Sequence, residues 1–340
     1  MMITLRRLLL CLVLCISVTV LSAQTPDTNL YSVAFYNLEN LFDTIHDVGK
    51  NDADFLPDGK YRWNTYKYES KLKNMARVLG ELGRDQLSQG PAFIGVAEVE
   101  NEHVLSDLTK QEPIRNYKFI HHEGPDKRGI DCALLYDPQQ FKVNHSVLIP
   151  SIPFKGDTTH LTRGFLIVDG HLAGDHIAVI VNHWPSRGAQ EEVRLHAARQ
   201  VKHLKDSLVR TDKRLKLILM GDFNDDPMDA SLKALGQKKY AQKTKKRDLF
   251  NPWWETLEDK GIGTLYYRGK WNLFDQIIFN GRLLKSRKGL VYAGHEVFKR
   301  DYMIEASGRY AGSPIRTHGG RKWLNGYSDH LPTIIYLKKR

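Results

Sequence analysis

Apolar runs of strand length recur along the whole chain. They fall at YSVAFYN (31–37), AFIGVA (92–97), CALLY (132–136), FLIV (165–168), HIAVIVN (176–182), LKLILM (215–220), DQIIFN (275–280) and PTIIY (332–336). Short runs rich in Val, Ile and aromatic residues, bounded by Gly, Pro, Asn or Asp, read as buried strands. Two further segments carry the helical period instead. Tyr68, Leu72, Met75, Leu79 and Leu82 in the first, and Val193, Ala197, Val201, Leu204 and Leu208 in the second, are spaced by threes and fours, so each helix lays one apolar stripe on its support. Many strands with few long helices predict two packed sheets flanked by helices, an α/β or α+β sandwich. No Ser/Pro-rich linker, repeat or low-complexity tract interrupts the series, so residues 24–340 read as one domain.

Polar residues sit where these runs stop. Asn37 ends the first, Glu98 follows the second, Asp131 precedes the third and Asn182-His183 closes the fifth. Asp222 follows the sixth, Asp275 opens the seventh and Asp329-His330 precedes the last. Strand ends are where sites are commonly built. In GDFND (221–225), Asp222 and Asn224 are two apart on an extended segment and so reach one spot beyond the strand.

The amino terminus changes the picture of where the domain works. Two arginines, a mostly apolar stretch from Leu8 to Leu21 and then Ser22-Ala23 form the three regions of a secretory signal over residues 1–23. The apolar stretch is too short for a confident membrane span, so cleavage near Ala23 predicts a soluble secreted or periplasmic protein without stable membrane insertion. Cys11 and Cys15 leave with the leader, and Cys132 alone cannot form an internal disulfide. Its place in CALLY is that of a small buried hydrophobe. The formal net charge is +11, less two when Arg6 and Arg7 are removed, which favours polyanionic partners. The excess is local. Seven bases and no acid lie between Asp229 and Asp248, and Arg282, Lys285, Arg287 and Lys288 form a second cluster. Each is either a solvated loop or a phosphate-backbone contact surface.

Phosphodiester hydrolysis needs a metal ion, a base for water and donors around the developing charge. Glu98, Asn37 and Asp329 offer hard oxygen ligands that suit magnesium, with manganese or calcium as other options, and no Cys/His cluster has zinc spacing. His330 is the candidate general base, with Asp275 to hold its tautomer. Asp222 is placed to position water or protonate the leaving oxygen, Asn224 to donate to a phosphate oxygen, and His183 to act as a second acid or cation. Taken singly, each residue is as well read as a cap, a turn or a surface carboxylate.

The ordered series YNLEN (36–40), AEVEN (97–101), RGIDCALLY (128–136), VNHWPSR (181–187), GDFND (221–225), WNLFDQII (271–278) and SDHLP (328–332) resembles the endonuclease/exonuclease/phosphatase superfamily, within it the exported bacterial nuclease-like branch. The resemblance runs from about residue 30 to 337. It implies a four-layer α/β sandwich with two mixed β-sheets, and a divalent-metal site centred on Glu98 with Asn37 beside it and Asp329 adjacent. It also implies Asp222 and Asn224 around the scissile phosphate, His183 with Asn182 on the phosphate side, and the Asp275–His330 pair as base. Arg128 and Asp131 look like a further phosphate-side pair. Some secreted nucleases of the superfamily are disulfide-stabilised, and this chain is not. The expected protein is a monomeric, magnesium-dependent phosphodiesterase, a nuclease acting on DNA with little sequence preference. A phosphatase or phospholipase C-type enzyme on lipid head groups or small esters, and a binding protein that has lost the chemistry, are the alternatives.

Overall fold

Alternation along the first strand dictates the layers. Val33 and Phe35 point one way and Ala34 and Tyr36 the other, and all four are fully buried, so both faces of this strand must be covered. The computed structural model describes residues 29–157 and 161–340, and the expected leader over 1–23 lies outside the described residues. In chain order the strands are β1 (Leu30–Leu41), β2 (Phe93–Val99), β3 (Lys118–His121), β4 (Asp131–Tyr136), β5 (Phe141–Ile149), β6 (Phe165–Leu172), β7 (Asp175–His183), β8 (Lys216–Asp222), β9 (Gln237–Lys238), β10 (Leu249–Phe250), β11 (Leu265–Tyr267), β12 (Lys270–Asn272), β13 (Asp275–Asn280), β14 (Leu290–Val297), β15 (His318–Gly319), β16 (Lys322–Trp323) and β17 (Thr333–Lys339). The principal helices are α1 (Thr65–Glu81), α2 (Glu102–Thr109) and α3 (Glu191–Thr211), followed by the short α4 (Ala230–Leu235), α5 (Trp253–Glu258) and α6 (Arg282–Lys285).

Six strands form one mixed sheet in the order β14-β17-β1-β2-β4-β3, and seven form the other in the order β5-β6-β7-β8-β13-β10-β9. β1 runs parallel to β2 and β7 parallel to β8, while β13 and β17 are antiparallel to their neighbours. Three apolar layers hold the sandwich together. Val33, Phe35, Cys132, Val179, Ile218, Met220 and Ile277 fill the space between the sheets. Leu72, Met75 and Leu79 of α1 cover Tyr36 and Ile94 on one outer face. Ala197 and Val201 of α3 cover Ile180 and Leu219 on the other. Each buried Leu, Met or Val in these layers contributes about 1.5–3 kcal/mol relative to exposure. The expected four-layer α/β sandwich is the fold observed.

Several boundaries differ from the sequence expectation for identifiable reasons. β1 continues past Asn37 to Leu41 because its register with β2 slips between those residues, a bulge that keeps the ladder going. β6 continues past Val168 to Leu172, pairing with the start of β7. β3, β5 and β14 are edge or near-edge strands whose half-exposed sequences lack a continuous apolar run.

Candidate active site

The bulge that extends β1 also aims a carboxylate. Pairing of β2 with β4 shifts register between Ala97 and Val99, and Glu98 between them takes φ +60°, an uncommon conformation for a side chain of its size. Its Oε2 accepts a 2.9 Å hydrogen bond from the Asn40 N–H, while Oε1 lies 3.7 Å from His183 Nε2. Across the sandwich, Asn37 Nδ2 donates to Asp222 Oδ2 at 3.1 Å. That contact joins the ends of β1 and β8, one from each sheet. Asp222 Oδ1 caps the turn that follows, accepting from the Asn224 N–H at 2.8 Å, and Asn224 sits at φ +51° with Nδ2 donating to the Trp184 carbonyl.

β13 places Asp275 directly opposite Asp222. Asp275 Oδ2 meets His330 Nδ1 at 2.7 Å, which leaves Nε2 facing Asp222 Oδ2 at 3.8 Å and Asp329 Oδ1 at 3.9 Å. Two hydroxyls build this arrangement. Thr264 Oγ1 accepts from the Phe274 and Asp275 N–H groups, and Ser328 Oγ donates to the Asn37 carbonyl while accepting from the His330 N–H.

Burial and like charge set the electrostatics. Burial raises the Asp222 carboxyl to about 7, with Asp275 and Glu98 adding to the shift against the opposing pull of His330. Burial also opposes charge on His330, yet Asp275, Asp222 and Asp329 together hold its imidazole well above the ordinary histidine value. His183 moves the other way. Burial, the Arg163 and Arg128 guanidiniums and His330 push it well below that value, so it is neutral at pH 7 and its carboxylate contacts are not ion pairs. The two histidines therefore have distinct roles available: one cationic donor held by carboxylates and one neutral imidazole.

The sequence pattern of the Endonuclease/Exonuclease/phosphatase family matches residues 32–339. The chain belongs to that family. Solved structures share the family fold at low identity. An endonuclease/exonuclease/phosphatase family protein from Bacteroides thetaiotaomicron is 17% identical with a TM-score of 0.57, covering 92% of this chain and 98% of that one. The mannosyl-6-phosphatase of Bacteroides thetaiotaomicron is 18% identical with a TM-score of 0.56, over 90% and 99% of the two chains. D. rerio TDP2 complexed with a single-strand DNA product is 13% identical with a TM-score of 0.57, over 91% and 99%. No curated protein matches the chain in sequence.

Members of this family are phosphoester hydrolases that depend on a divalent metal, and the donor set here suits a hard cation. Asp222, Asp275 and His330 present ligand atoms within 4.8 Å of one another, all buried. Asp275 Oδ1 is buried with no hydrogen-bond partner, and Glu98 adds a further carboxylate beside Asp222. So many carboxylates in one buried site leave a charge deficit that a divalent cation with oxygen ligands offsets.

Not every residue read from the sequence meets at this point. Asn182 is fully buried and spends its amide on the Ile180 and Met220 carbonyls and the Trp184 indole, so it braces β7 against β8 and does not face the site. Arg128 and Asp131 do not pair. Arg128 Nη2 reaches Asn40 Oδ1 at 2.6 Å on the exposed rim, whereas Asp131 is buried and accepts from the Gly124 N–H at 3.0 Å, with His121 Nε2 at 3.3 Å. Asp329 is engaged by the Arg316 guanidinium, which also contacts Glu39.

Three site residues went unread. Arg163 pairs with Asp126 at 2.8 Å beside the Trp184 carbonyl. Glu39, at φ +50°, accepts from the Thr317 N–H and hydroxyl, and Arg316 bridges it to Asp329. Glu39 lay inside YNLEN, but Arg163 and Arg316 stand in loops with no periodicity, so nothing local marked them.

Proposed function

We propose that the chain is an exported phosphodiesterase that cuts DNA with little sequence preference, using magnesium. The observation that carries this reading is the Asp275–His330 hydrogen bond of 2.7 Å, whose free ring nitrogen faces Asp222 at the rim of a carboxylate cluster containing Glu98. Glu98, with Asn37 and Asp222 beside it and Asp329 at the edge, would hold the cation, which supplies Lewis acidity at the phosphoryl oxygen. The remaining work belongs to the chain. Asp275 fixes the His330 ring through Nδ1, and in its neutral form the imidazole would take a proton from water at Nε2. His183, neutral and buried, offers a hydrogen bond to a phosphoryl oxygen at no cost in charge. Asn224 keeps one amide N–H uncommitted for the same purpose.

The family supports phosphoester hydrolysis, and the similarity to D. rerio TDP2, solved with single-strand DNA product, supports the choice of substrate. The exposed bases Lys127 and Arg128, with Arg163 beneath them, give the rim the positive charge a backbone phosphate wants. A second reading has its own observation. A cavity of about 860 Å³ opens beside the site, lined by Arg128, Arg163, Ser186, Ile152 and Phe154, and it would take the organic part of a small phosphate ester. The mannosyl-6-phosphatase of the same fold is consistent with it. Purified residues 24–340 should nick plasmid DNA with magnesium and stop with chelator. Inertness on DNA and RNA with phosphate release from sugar phosphates would establish the second reading instead.

A further inference from the structure

The positive charge of this chain is concentrated at the end of the sandwich away from the catalytic residues. Asp275 lies opposite Asp222, and β13 runs on to Asn280, so that Gly281, six residues on, stands about 20 Å away at the ~3.3 Å rise of a strand. There the stretches 213–214, 243–247, 282–288 and 338–340 meet. The Arg282 guanidinium donates to the Lys213 carbonyl, the Gly281 N–H to the Asp248 carbonyl at 2.9 Å, and the Lys285 ammonium to the Gln242 carbonyl at 3.4 Å. Arg340 closes the group, its N–H on the Gly289 carbonyl at 3.0 Å and its guanidinium on the Ser286 carbonyl at 3.2 Å.

These four stretches hold thirteen Lys and Arg and no Asp or Glu. The nearby carboxylates are committed locally: Asp248 to the Lys245 N–H, Asp212 to His176 and the Arg214 N–H, Asp175 to Lys216 and the Leu290 N–H. Thirteen bases against three acids is a surplus close to the net charge of the whole chain, +11, so the rest of the molecule is nearly neutral. A nucleic acid gripped at this pole would be held about 20 Å from the catalytic carboxylates. The 243–247 part of the first basic cluster and the whole of the second therefore form one surface, remote from the chemistry.

The same pole is where the chain enters the fold. Lys339 donates its N–H to the Asn29 carbonyl at 2.7 Å, and Leu30 pairs with Lys338. Seven residues of sequence separate the apolar stretch Leu8–Leu21 from Asn29, so the polypeptide joins the fold at this pole from the leader side.

We propose that this pole is a docking surface for an anionic phospholipid bilayer, on which the protein rests with its catalytic mouth turned to the opposite side. Each Lys or Arg near such a surface contributes about 1 kcal/mol, and the attraction fades within a Debye length of about 8–10 Å. Exposed bases gathered on one pole satisfy that range together, whereas the same number spread over the sphere would not. Peripheral attachment of this kind needs no apolar insertion and is compatible with there being, among the described residues, no helix long and apolar enough to cross a membrane. The proposal is independent of which ester the opposite pole cleaves.

Among the described residues, every strand of both sheets lies within 30–339, so residues 24–340 serve for the test. It should sediment with vesicles mixing phosphatidylglycerol and phosphatidylcholine, not with phosphatidylcholine alone, and be released by high salt. The variant carrying Lys245→Glu, Lys246→Glu, Arg247→Glu, Lys285→Glu, Arg287→Glu and Lys288→Glu should lose at least about tenfold in vesicle affinity while retaining its phosphoesterase turnover. If that variant fails to fold, judged by its thermal midpoint, Lys245→Gln, Lys246→Gln and Lys288→Gln together should still weaken vesicle binding measurably. Equal binding to both vesicle types, no binding, or unchanged affinity in the folded variants overturns the proposal. So does a pole that binds DNA in a charge-dependent way and ignores vesicles, which would make it a nucleic-acid platform.

Discussion

His330 is held in a charge state that a lone histidine would not adopt, and the responsible groups can be removed singly. Asp275→Asn keeps the shape of the pair but not its charge, so the proton on His330 should leave at lower pH and turnover should fall. The loss expected is about 10²-fold or more, similar to that of His330→Ala. A pH–rate profile separates the two variants: the asparagine variant retains a displaced ionisation, the alanine variant loses it. Two other histidines, His318 buried and His295 half-buried, should contribute to acid stability. Burial lowers His295 to about 4, with Lys260 adding to the shift, and burial likewise lowers His318 to about 4, helped by Lys67, Lys71 and Arg316. Both are neutral in the fold and titrate near 6.5 in the unfolded chain, so the unfolded state binds more protons between pH 6.5 and 4. The stability these two histidines contribute is therefore intact above pH 6.5 and is lost as pH falls through 4. His295→Gln with His318→Gln should flatten that part of the urea-midpoint-against-pH curve; an unchanged slope would refute the assignment.

At the scale of elements, the site depends on two close approaches and one bulge. A Cβ at Gly221 would lie 2.2 Å from the Asn182 carbonyl oxygen, so β8 can carry Asp222 past β7 only with glycine there. Gly221→Ala should cost about 1–3 kcal/mol in chemical denaturation, and it should lower turnover further by displacing Asp222. Gly95 does the corresponding work between the sheets, where a Cβ would stand 2.5 Å from Met220 Sδ. The bulge at Glu98 explains why a residue inside a strand run faces the rim: the register slip turns its carboxylate out of the ladder and toward His183. Cys132, with its thiol pushed up by burial in the layer between the sheets, is a packing residue as its sequence context suggested.

On the scale of the whole molecule, charge separates into two poles with different expected readouts. Arg128→Glu at the catalytic rim should weaken DNA binding and reduce the salt slope by about one, since one phosphate contact is lost. Reversal at 245–247 should leave that slope unchanged; equal effects at both places would return the basic pole to the substrate path. The sequence by itself determined the sandwich, because strands covered on both faces must be apolar throughout and helices covered on one face must carry a stripe. Hence β1, β2, β4, β6, β7, β8, β13, β17, α1 and α3 were legible, whereas β3, β5 and β14, part-exposed at the edges, were not. It also determined which residues stand at strand ends, since Asn37, Glu98, His183, Asp222, Asp275 and His330 are polar or charged where apolar runs stop. Only the tertiary structure decided which of them meet. Strand register puts Asp275 against Asp222, turns Asn182 inward beside the outward His183, parts Arg128 from Asp131 and gathers distant lysines into one pole. Those are contacts across tens or hundreds of residues, fixed by sheet pairing and layer packing, and periodicity along a chain carries no information about them.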